Sequence, residues 1–590
     1  MNDLKKVFSF ARAYRKDFAI AVALVCIETV FEMIIPLIMT DIVDVGVPAH
    51  DIPYLLLQGG KMAVCAAFSL ICGLGYAGFA ARAAYGFGAA LRQAQYEKLQ
   101  EYSFSNLDRF STSSLVTRMT TDVTVMQNAV NGGLRPLVRS PIMLGLGIAM
   151  SFMLNGRLAF VFIFTAPVLG IILALIVHKV APLYSRQQKA VDHVNRQVQE
   201  TLTAIRAVKA FVRGEYKEEQ FETVNNELAD VSRTTFGHAV LNLPAFQTVM
   251  YTAVVLLMWN GGNYILTGSM TVGELTAFLS YVLQVMNSLM MISNVFLMLT
   301  RSLASAGRIR EVLEEKVSLE SPKSPLLEVP DGGITFENVS FKYYRGAEKY
   351  ALSHVDLHIN AGETVGIIGG TGSAKSTLVQ LIPRLYDAVE GRVCVGGHDV
   401  REYDLSILRD AVGIVLQKNV LFSGTVRENL LWGNPDAGDR ELWDACSKAC
   451  ADEFLRNMPK GLDTDLGQGG VNVSGGQKQR LCIARTLLRN PKILIFDDST
   501  SAVDTATEAR IRRALAALDH VTKIIIAQRV TSVMEADKIV ILDDGRIHAV
   551  GTHQELLKSD PIYQEIYESQ MKSQNRPEHQ EEVQLRNVKR

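Results

Sequence analysis

The chain has 590 residues, which is too long for a single hydrophobic core and indicates several domains. Its 60 lysine and arginine residues balance 61 aspartate and glutamate residues, so no excess of basic charge marks nucleic acid as a partner. The hydrophobic fraction of 48% suits a chain that is half membrane-embedded and half soluble. The seven cysteines form neither metal-ligand pairs nor a disulfide framework, so reduced, buried thiols are expected.

The first half of the chain has the pattern of a membrane domain. Residues 1–16 are basic and amphipathic, which predicts an interfacial elbow helix. Residues 17–305 are predicted to form the transmembrane domain, because six runs are each long enough to cross a hydrocarbon layer of ~30 Å. The runs lie near residues 18–40, 60–84, 137–155, 158–180, 243–266 and 275–299.

Positive charge is unevenly distributed among the connections. Lysine and arginine cluster before the first run, between the second and third, and between the fourth and fifth. The other connections carry almost none, so the positive-inside rule predicts that both termini are on the cytoplasmic side of a cell membrane. The two inner connections, of about 50 and 60 residues, contain helix-compatible stretches. Spans two to five should therefore continue as helices beyond the membrane, with short elbows at their tips.

The second half has the pattern of an α/β domain. Residues 306–333 include Pro and Ser and predict a linker, residues 334–572 a nucleotide-binding domain, and residues 573–590 a flexible polar tail. The segment TVGIIGGTGSAKSTLVQ reads as a strand, a glycine-rich turn and a helix, which predicts a phosphate cradle. In such a cradle, Lys375 can reach the outer phosphates and Ser376 can bind Mg²⁺.

Two further positions bear on this cradle. Ala374 stands where the strict phosphate-binding motif has glycine, so a methyl group is expected to crowd the phosphates. Asp497 ends the apolar strand KILIFD, and its carboxylate is predicted to hold Mg²⁺. Strand, turn and helix context favours a nucleotide site over a chance glycine-rich turn.

A resemblance to a known family rests on several motifs. The segment VNVSGGQKQR at 471–480 resembles the signature of ATP-binding cassette (ABC) proteins, and FSTSSLVTRMTTDV and FVRGEYKEEQF resemble the two intracellular loops of ABC exporters. Six spans followed by one cassette is similar to their half-transporter layout. The resemblance implies an α-helical six-span transmembrane domain with long intracellular helical extensions, followed by an α/β P-loop ATP-binding cassette domain.

The resemblance also implies ATP and Mg²⁺ as cofactors, and it assigns site residues. Tyr343 resembles the adenine-stacking aromatic residue and Gln417 the Q-loop glutamine. The implied nucleotide-binding residues are Tyr343, Gly369, Gly370, Thr371, Gly372, Ser373, Ala374, Lys375, Ser376, Thr377 and Gln417. The implied magnesium ligands are Ser376, Gln417 and Asp497. Residues implied to contact ATP held by a partner chain are Ser474, Gly475, Gly476, Gln477 and Asp504.

Two positions depart from the family's catalytic pattern. Asp498 stands where the family places a glutamate that activates water, and Gln528 stands where it places a histidine that contacts the γ-phosphate. Aspartate is one methylene short, and misplacement by about 1 Å near the chemistry can cost on the order of 10²-fold in rate. Because the signature is intact, the resemblance is to the degenerate-site subunit of bacterial heterodimeric multidrug exporters. A partner carrying the glutamate and histidine is expected; the alternative is a slow homodimeric ATPase.

The transported compound has no sequence motif. Glu28 and Glu32 lie four residues apart in the first span, where carboxylates are costly, and are candidates for attracting cationic compounds. Packing against polar groups of neighbouring helices is the alternative. Met286, Met290 and Asn294 in the sixth span are candidates for an adaptable binding surface, and an ordinary methionine core is the alternative. An amphipathic substrate is predicted; a lipid flippase, a siderophore-type importer or a nucleotide-gated channel stays open.

Overall fold

A computed structural model of the chain describes residues 6–344, 346–498 and 504–574. The predicted tail beyond residue 574 lies outside the described residues. Contacts between residues divide the chain into two compact units. One comprises Met1–Gln100 and Ser111–Glu315, and the other comprises Glu101–Phe110 and Lys316–Arg590.

The first unit is helical throughout its described part. Its α-helices are α1 (Arg15–Asp41), α2 (Ile52–Glu101, whose last residue belongs to the second unit), α4 (Thr112–Thr117), α5 (Val123–Leu154), α6 (Gly156–Thr203), α7 (Ile205–Ala210), α8 (Gly214–Ala239), α9 (Asn242–Leu266) and α10 (Val272–Glu314). A 3₁₀-helix at Phe8–Tyr14 precedes α1, and π-helical turns at Ile42–Gly46 and Arg118–Asp122 follow α1 and α4. α3 (Phe104–Arg109) belongs to the second unit.

Six helical segments of the described chain are long and apolar enough to cross a membrane, which confirms the predicted number. The helix α2 has 50 residues and is therefore ~75 Å long, more than twice the hydrocarbon thickness. The predicted long extensions are thus present. The chain is a multi-pass membrane protein.

The two tight turns between spans follow from local side-chain chemistry. Asn155 separates α5 from α6, and its side chain accepts hydrogen bonds from the Arg157 and Leu158 N–H groups at 3.1 Å each. Thr271 and Glu274 form a capping box that starts α10. These caps satisfy N–H groups that helix ends leave without partners, so each span can stop and reverse within a few residues.

The second unit contains two sheets. The strands are β1 (Ile334–Phe341), β2 (Leu352–Ile359), β3 (Thr364–Ile368), β4 (Glu390–Val395), β5 (His398–Asp399), β6 (Val412–Val415), β7 (Ile493–Asp497), β8 (Thr522–Ile526), β9 (Lys538–Asp543) and β10 (Arg546–Gly551). The helices after residue 316 are α11 (Lys375–Gln380), α12 (Leu405–Ala411), α13 (Val426–Leu431), α14 (Asp439–Lys448), α15 (Asp452–Arg456), α16 (Gly475–Leu487), α17 (Thr505–Ala516), α18 (His553–Ser559) and α19 (Pro561–Gln574).

The larger sheet positions the candidate site. Its strand order is β10-β9-β3-β8-β7-β6, and the five strands from β9 to β6 are parallel. The smaller sheet, β2-β1-β4-β5, is antiparallel. All five residues of β7 are buried, as expected for a parallel strand that is covered on both faces. This architecture confirms the predicted α/β domain.

Helix α3 comes from the connection between the second and third spans, yet it packs in the second unit. Asn106 Nδ2 donates a hydrogen bond to the Lys316 carbonyl at 2.8 Å. The Tyr386 hydroxyl donates to Asp108 Oδ2 at 2.7 Å, and the Phe104 ring lies 6.1 Å from the Tyr386 ring. A short segment of the membrane-domain connection is therefore built into the domain that carries the candidate site.

Candidate functional site

A cavity of about 430 Å³ lies where strands β3, β7 and β8 end. Loops at the carboxyl ends of neighbouring parallel strands form the usual ligand crevice of α/β sheets. The predicted residues that line it are Tyr343, Gly369, Thr371, Gly372, Ser373, Ala374, Lys375, Ser376, Thr377, Gln417, Asp497, Asp498 and Gln528. The volume lies within the usual range for small-molecule sites, about 300–1,000 Å³.

The loop between β3 and α11 forms the floor of the cavity. Lys375 Nζ donates hydrogen bonds to the Gly369 and Gly370 carbonyl oxygens at 2.9 and 2.8 Å, so its ammonium group stands over the loop. Burial lowers the pKa of Lys375, and the negative charges of Asp498 and Asp497 oppose that shift. A buried ammonium group has lost part of its hydration, so a bound anion such as phosphate would stabilise its charge.

Backbone geometry explains which loop positions need glycine. A Cβ atom at Gly369 would lie 2.1 Å from the Leu542 carbonyl oxygen, whereas Gly370 faces open space. Gly372 has φ +87°, a conformation that side chains disfavour. Ala374 has φ +70° and ψ +25° at the start of α11, so this residue is left-handed without being glycine. Such a conformation costs a non-glycine residue roughly 1–2 kcal/mol.

Ser376 and Asp497 meet at the end of β7. The Ser376 hydroxyl donates to Asp497 Oδ1 at 2.7 Å, and Asp497 is buried. Burial raises the pKa of Asp497, and the adjacent carboxylate of Asp498 raises it further. Hydroxyl, carboxylate and amide oxygens are hard ligands of the kind that Mg²⁺ prefers, so Ser376, Asp497 and Gln417 fit the predicted ion. When bound, the ion would neutralise this negative charge and phosphate charge.

Asp498 and Gln528, the two residues that depart from the catalytic pattern, contact each other. Gln528 Nε2 donates to Asp498 Oδ2 at 2.7 Å, and Gln417 Nε2 lies 3.5 Å from the same oxygen. Asp498 has φ +48°, and its backbone N–H donates to the Ile526 carbonyl oxygen at 3.1 Å. The carboxylate at the base position is therefore held by the residue at the position of the family's histidine.

Aromatic residues form the opposite side of the cavity. The Tyr343 hydroxyl lies 2.9 Å from Thr377 Oγ1, and its ring contacts Phe341 and Tyr386 edge-on. Burial raises the pKa of Tyr343, which keeps the hydroxyl neutral. Tyr343 as a whole is 41% exposed, which leaves room for a flat base to stack on its ring.

Five cavity residues were missed by sequence reasoning. They are Tyr350, Ala351, Ile526, Asp544 and Gly545. The Tyr350 hydroxyl donates to Glu390 Oε1 at 2.9 Å, and Lys342 Nζ lies 4.3 Å from its ring centre. No motif marks these positions. The turn between β9 and β10 packs beside the start of β2 from the other sheet, where the Ser353 N–H donates to the Gly545 carbonyl oxygen at 2.9 Å.

The signature segment lies elsewhere in the second unit. Ser474 begins α16 with a capping box, in which its hydroxyl accepts from the Gln477 N–H at 3.3 Å. Asp504 similarly caps α17 by accepting from the Thr507 N–H at 2.9 Å. Among the described residues that line the cavity, none of the five residues assigned to a partner's ATP occurs. Ser474, Gly475 and Asp504 are exposed, so these helix starts are accessible to a ligand held by another chain.

The acidic pair of the first span faces two arginines of α5. Glu28, only 2% exposed, is ion-paired with Arg135, and Glu32 is ion-paired with Arg139. Arg139 Nη1 also lies 3.7 Å from Glu28 Oε1. This geometry fits the packing alternative, since each carboxylate already has a cationic partner.

The methionine candidates lie in the core of the first unit. Met286 is fully buried among apolar residues such as Phe278 and Leu257, and Met290 packs against the same cluster. The side chain of Asn294 lies outside the described residues. In this conformation, Met286 is an ordinary core residue.

Comparison with known proteins identifies both halves of the chain. Residues 18–289 match the family model described as the ABC transporter transmembrane region, and residues 352–501 match that described as ABC transporter. YfiB of Bacillus subtilis, described as an uncharacterized ABC transporter ATP-binding protein, is 37% identical over 96% of this chain and 98% of its own length. The putative multidrug export ATP-binding/permease protein YgaD of Bacillus subtilis is 30% identical over 96% of this chain and 99% of its own.

A relative named as a lipid flippase and a solved exporter structure are also similar to the chain. The ATP-dependent lipid A-core flippase of Desulfotalea psychrophila is 33% identical over 80% of this chain and 83% of its own. The structure of a bacterial Atm1-family ABC exporter with ATP bound superposes with a TM-score of 0.80 at 25% identity, covering 94% of this chain and 98% of that one. The chain therefore belongs to the ABC transporter family, as an exporter with a transmembrane region followed by an ATP-binding domain.

Proposed function

We propose that the chain is one subunit of a heterodimeric exporter that moves amphipathic compounds outward across the cell membrane. Its own cradle binds ATP and Mg²⁺ and retains them, and both of its termini are cytoplasmic. Its signature residues Ser474 to Gln477, together with Asp504, complete a second site on a partner half-transporter. That partner carries the glutamate and the histidine, and hydrolysis occurs mainly there.

The contact between Asp498 and Gln528 carries this proposal. A general base must reach the attacking water within hydrogen-bond distance. The Asp498 carboxylate is shorter than glutamate by about 1.5 Å, one carbon–carbon bond, and its Oδ2 already accepts from Gln528 Nε2 at 2.7 Å. Gln528 is neutral, so it supplies no positive charge to a developing phosphate anion. Both features slow hydrolysis at this site.

Retention of ATP is supported by the cradle residues that match the family pattern. Lys375 stands over the loop, Ser376 and Asp497 place two oxygen ligands for Mg²⁺ side by side, and Tyr343 is partly exposed. Stacking of a base on an aromatic ring is worth about 1–3 kcal/mol in nucleic-acid complexes. These binding contacts come from residues that match the family pattern.

The intact signature supports a heterodimer rather than a homodimer. Ser474 has the geometry of an ordinary capped helix start, and the adjoining Gly475 faces open space. A homodimer would join this intact signature to two slow cradles. A heterodimer joins it to the partner's competent cradle, so the intact signature would complete a site that hydrolyses ATP.

Two matched substitutions in the assembled transporter test the proposal. The chain is co-expressed with a half-transporter that carries the glutamate and the histidine and is encoded beside it, and ATP hydrolysis is measured in lipid nanodiscs. Ser474→Ala is expected to abolish most turnover, because it removes a contact to the partner's ATP. Lys375→Ala is expected to leave most turnover intact, because it damages only the retaining site. Equal loss in both variants, or rapid turnover by the chain alone, would refute the heterodimer and support a homodimer.

The transported class is tested separately. Relatives are named for multidrug export and for lipid A-core flipping, so the assay compares a cationic fluorescent drug with a labelled lipid in inside-out vesicles. ATP-dependent drug uptake into such vesicles is expected. Movement of the lipid alone would replace the proposed substrate class with a flippase function.

A further inference from the structure

A glutamine on the last described helix holds the loop that carries Gln528. The Gln570 side chain on α19 makes two hydrogen bonds to that loop. Its Oε1 accepts from the Val530 N–H at 2.8 Å, and its Nε2 donates to the Gln528 carbonyl oxygen at 2.8 Å. One side-chain amide therefore fixes the backbone on both sides of Arg529.

Helix α19 is itself anchored firmly enough to act as a support. Tyr563 is fully buried, its ring contacts His553, and its N–H donates to Asp560 Oδ1 at 2.8 Å. The apolar cluster around Tyr563 includes Ala527 and Val530, which flank the loop. Helix and loop thus share one core, and Gln570 supplies the polar contacts at its edge.

We propose that Gln570 is a positioning residue for the γ-phosphate side of the nucleotide site. It holds the backbone of Gln528, so that the Gln528 side chain stays in the cavity and in contact with Asp498. Gln570 itself does not line the cavity as described, and it acts only through the loop. The inference rests on the proposed nucleotide-retaining role of the site, and it assigns the positioning of Gln528 to Gln570.

The position of Gln528 predicts a selective effect on nucleotide binding. In the family it resembles, this position contacts the γ-phosphate, which ADP lacks. Freeing the loop should therefore weaken binding of a triphosphate but not of a diphosphate. Gln570→Ala is expected to lower the affinity for Mg²⁺-AMP-PNP about fivefold and to leave the affinity for Mg²⁺-ADP unchanged.

The experiment uses the full-length chain in lipid nanodiscs and titrates the two nucleotides by fluorescence. The matched control is Gln564→Ala, because Gln564 lies on the same helix and its Nε2 donates to the Leu557 carbonyl oxygen at 2.8 Å, away from the loop. The control should leave the ratio of the two affinities unchanged. An unchanged ratio in Gln570→Ala, or an equal fall for both nucleotides, would overturn the proposal, since the latter indicates a purely structural role.

A double variant shows whether Gln570 acts through Gln528. In a Gln528→Ala background, Gln570→Ala is expected to have no further effect on the affinity ratio. Independent effects that multiply would contradict the positioning role. Neither measurement involves hydrolysis or a partner chain, so the result stands apart from the heterodimer test. Rapid turnover by the chain alone would refute the retaining site and leave this affinity result interpretable.

Discussion

Replacement of Asp498 by glutamate together with Gln528 by histidine should turn the proposed ATP-retaining site into one that hydrolyses ATP. The longer side chain advances the carboxylate by about 1.5 Å, and a misplacement of about 1 Å is worth on the order of 10²-fold. General-base catalysis contributes typically 10²–10⁴-fold, so a gain of about 10²-fold is the conservative expectation. That gain corresponds to about 2.7 kcal/mol of transition-state stabilisation.

The two substitutions should not act independently. With Asp498→Glu alone, the Gln528 amide can still donate to the new carboxylate, and a hydrogen bond to a charged group is worth about 1.5–3 kcal/mol. We expect a gain of about tenfold for this variant. With Gln528→His alone, the carboxylate remains short, so we expect little change. The double variant should therefore exceed the product of the single ones.

The assay is single-turnover phosphate release by the full-length chain alone in lipid nanodiscs, with protein in excess over ATP. Equilibrium binding of ATP is measured in parallel, so that a change in the chemical step is separated from a change in occupancy. Asp544→Glu is the matched control, because Asp544 lines the same cavity and also has a positive φ, +40°. Rapid release by the unaltered chain, with no response to Asp498→Glu, would refute the reasoning.

Three further outcomes follow from single contacts. Ala374→Gly should stabilise the nucleotide-binding unit by about 1 kcal/mol, because it relieves a left-handed alanine; an unchanged thermal midpoint would contradict this. Glu28→Ala should destabilise the membrane unit by about 3–5 kcal/mol, since it leaves Arg135 without its carboxylate, and Glu28→Ala/Arg135→Ala should recover part of the loss in thermal scans. Burial raises the pKa of the Cys446 thiol to about 12, so maleimide at pH 8 should label it only after unfolding, as peptide mass spectrometry can check.

Sequence pattern alone was enough to predict those elements that are formed by consecutive residues. Hydrophobic runs determined the six spans, because crossing a bilayer requires about 20 apolar residues in succession. The cradle could be predicted for a similar reason, since a strand, a glycine-rich turn and a helix start are all contained within a few residues. Asp498 and Gln528 were recognised as departures from a pattern, but the sequence gives no distance between them.

Residues brought together by long-range packing could not be predicted. Tyr350 and Asp544 line the cavity only because packing between the two sheets places their turns beside each other. The contact of Gln570 with the loop at Gln528 spans 42 residues and carries no motif. The ion pair between Glu28 and Arg135 spans 107 residues, and it changes how the acidic pair is interpreted.

The sequence by itself thus determined a six-span exporter with an α/β ATP-binding domain, and it predicted a phosphate cradle, an intact signature and two altered catalytic positions. Only the tertiary structure decided that those two positions hold each other, that Ala374 is left-handed, and that α3 packs in the nucleotide-binding unit. The physical reason is that side-chain hydrogen bonds act over about 3 Å, and chain positions far apart in sequence come that close only after folding.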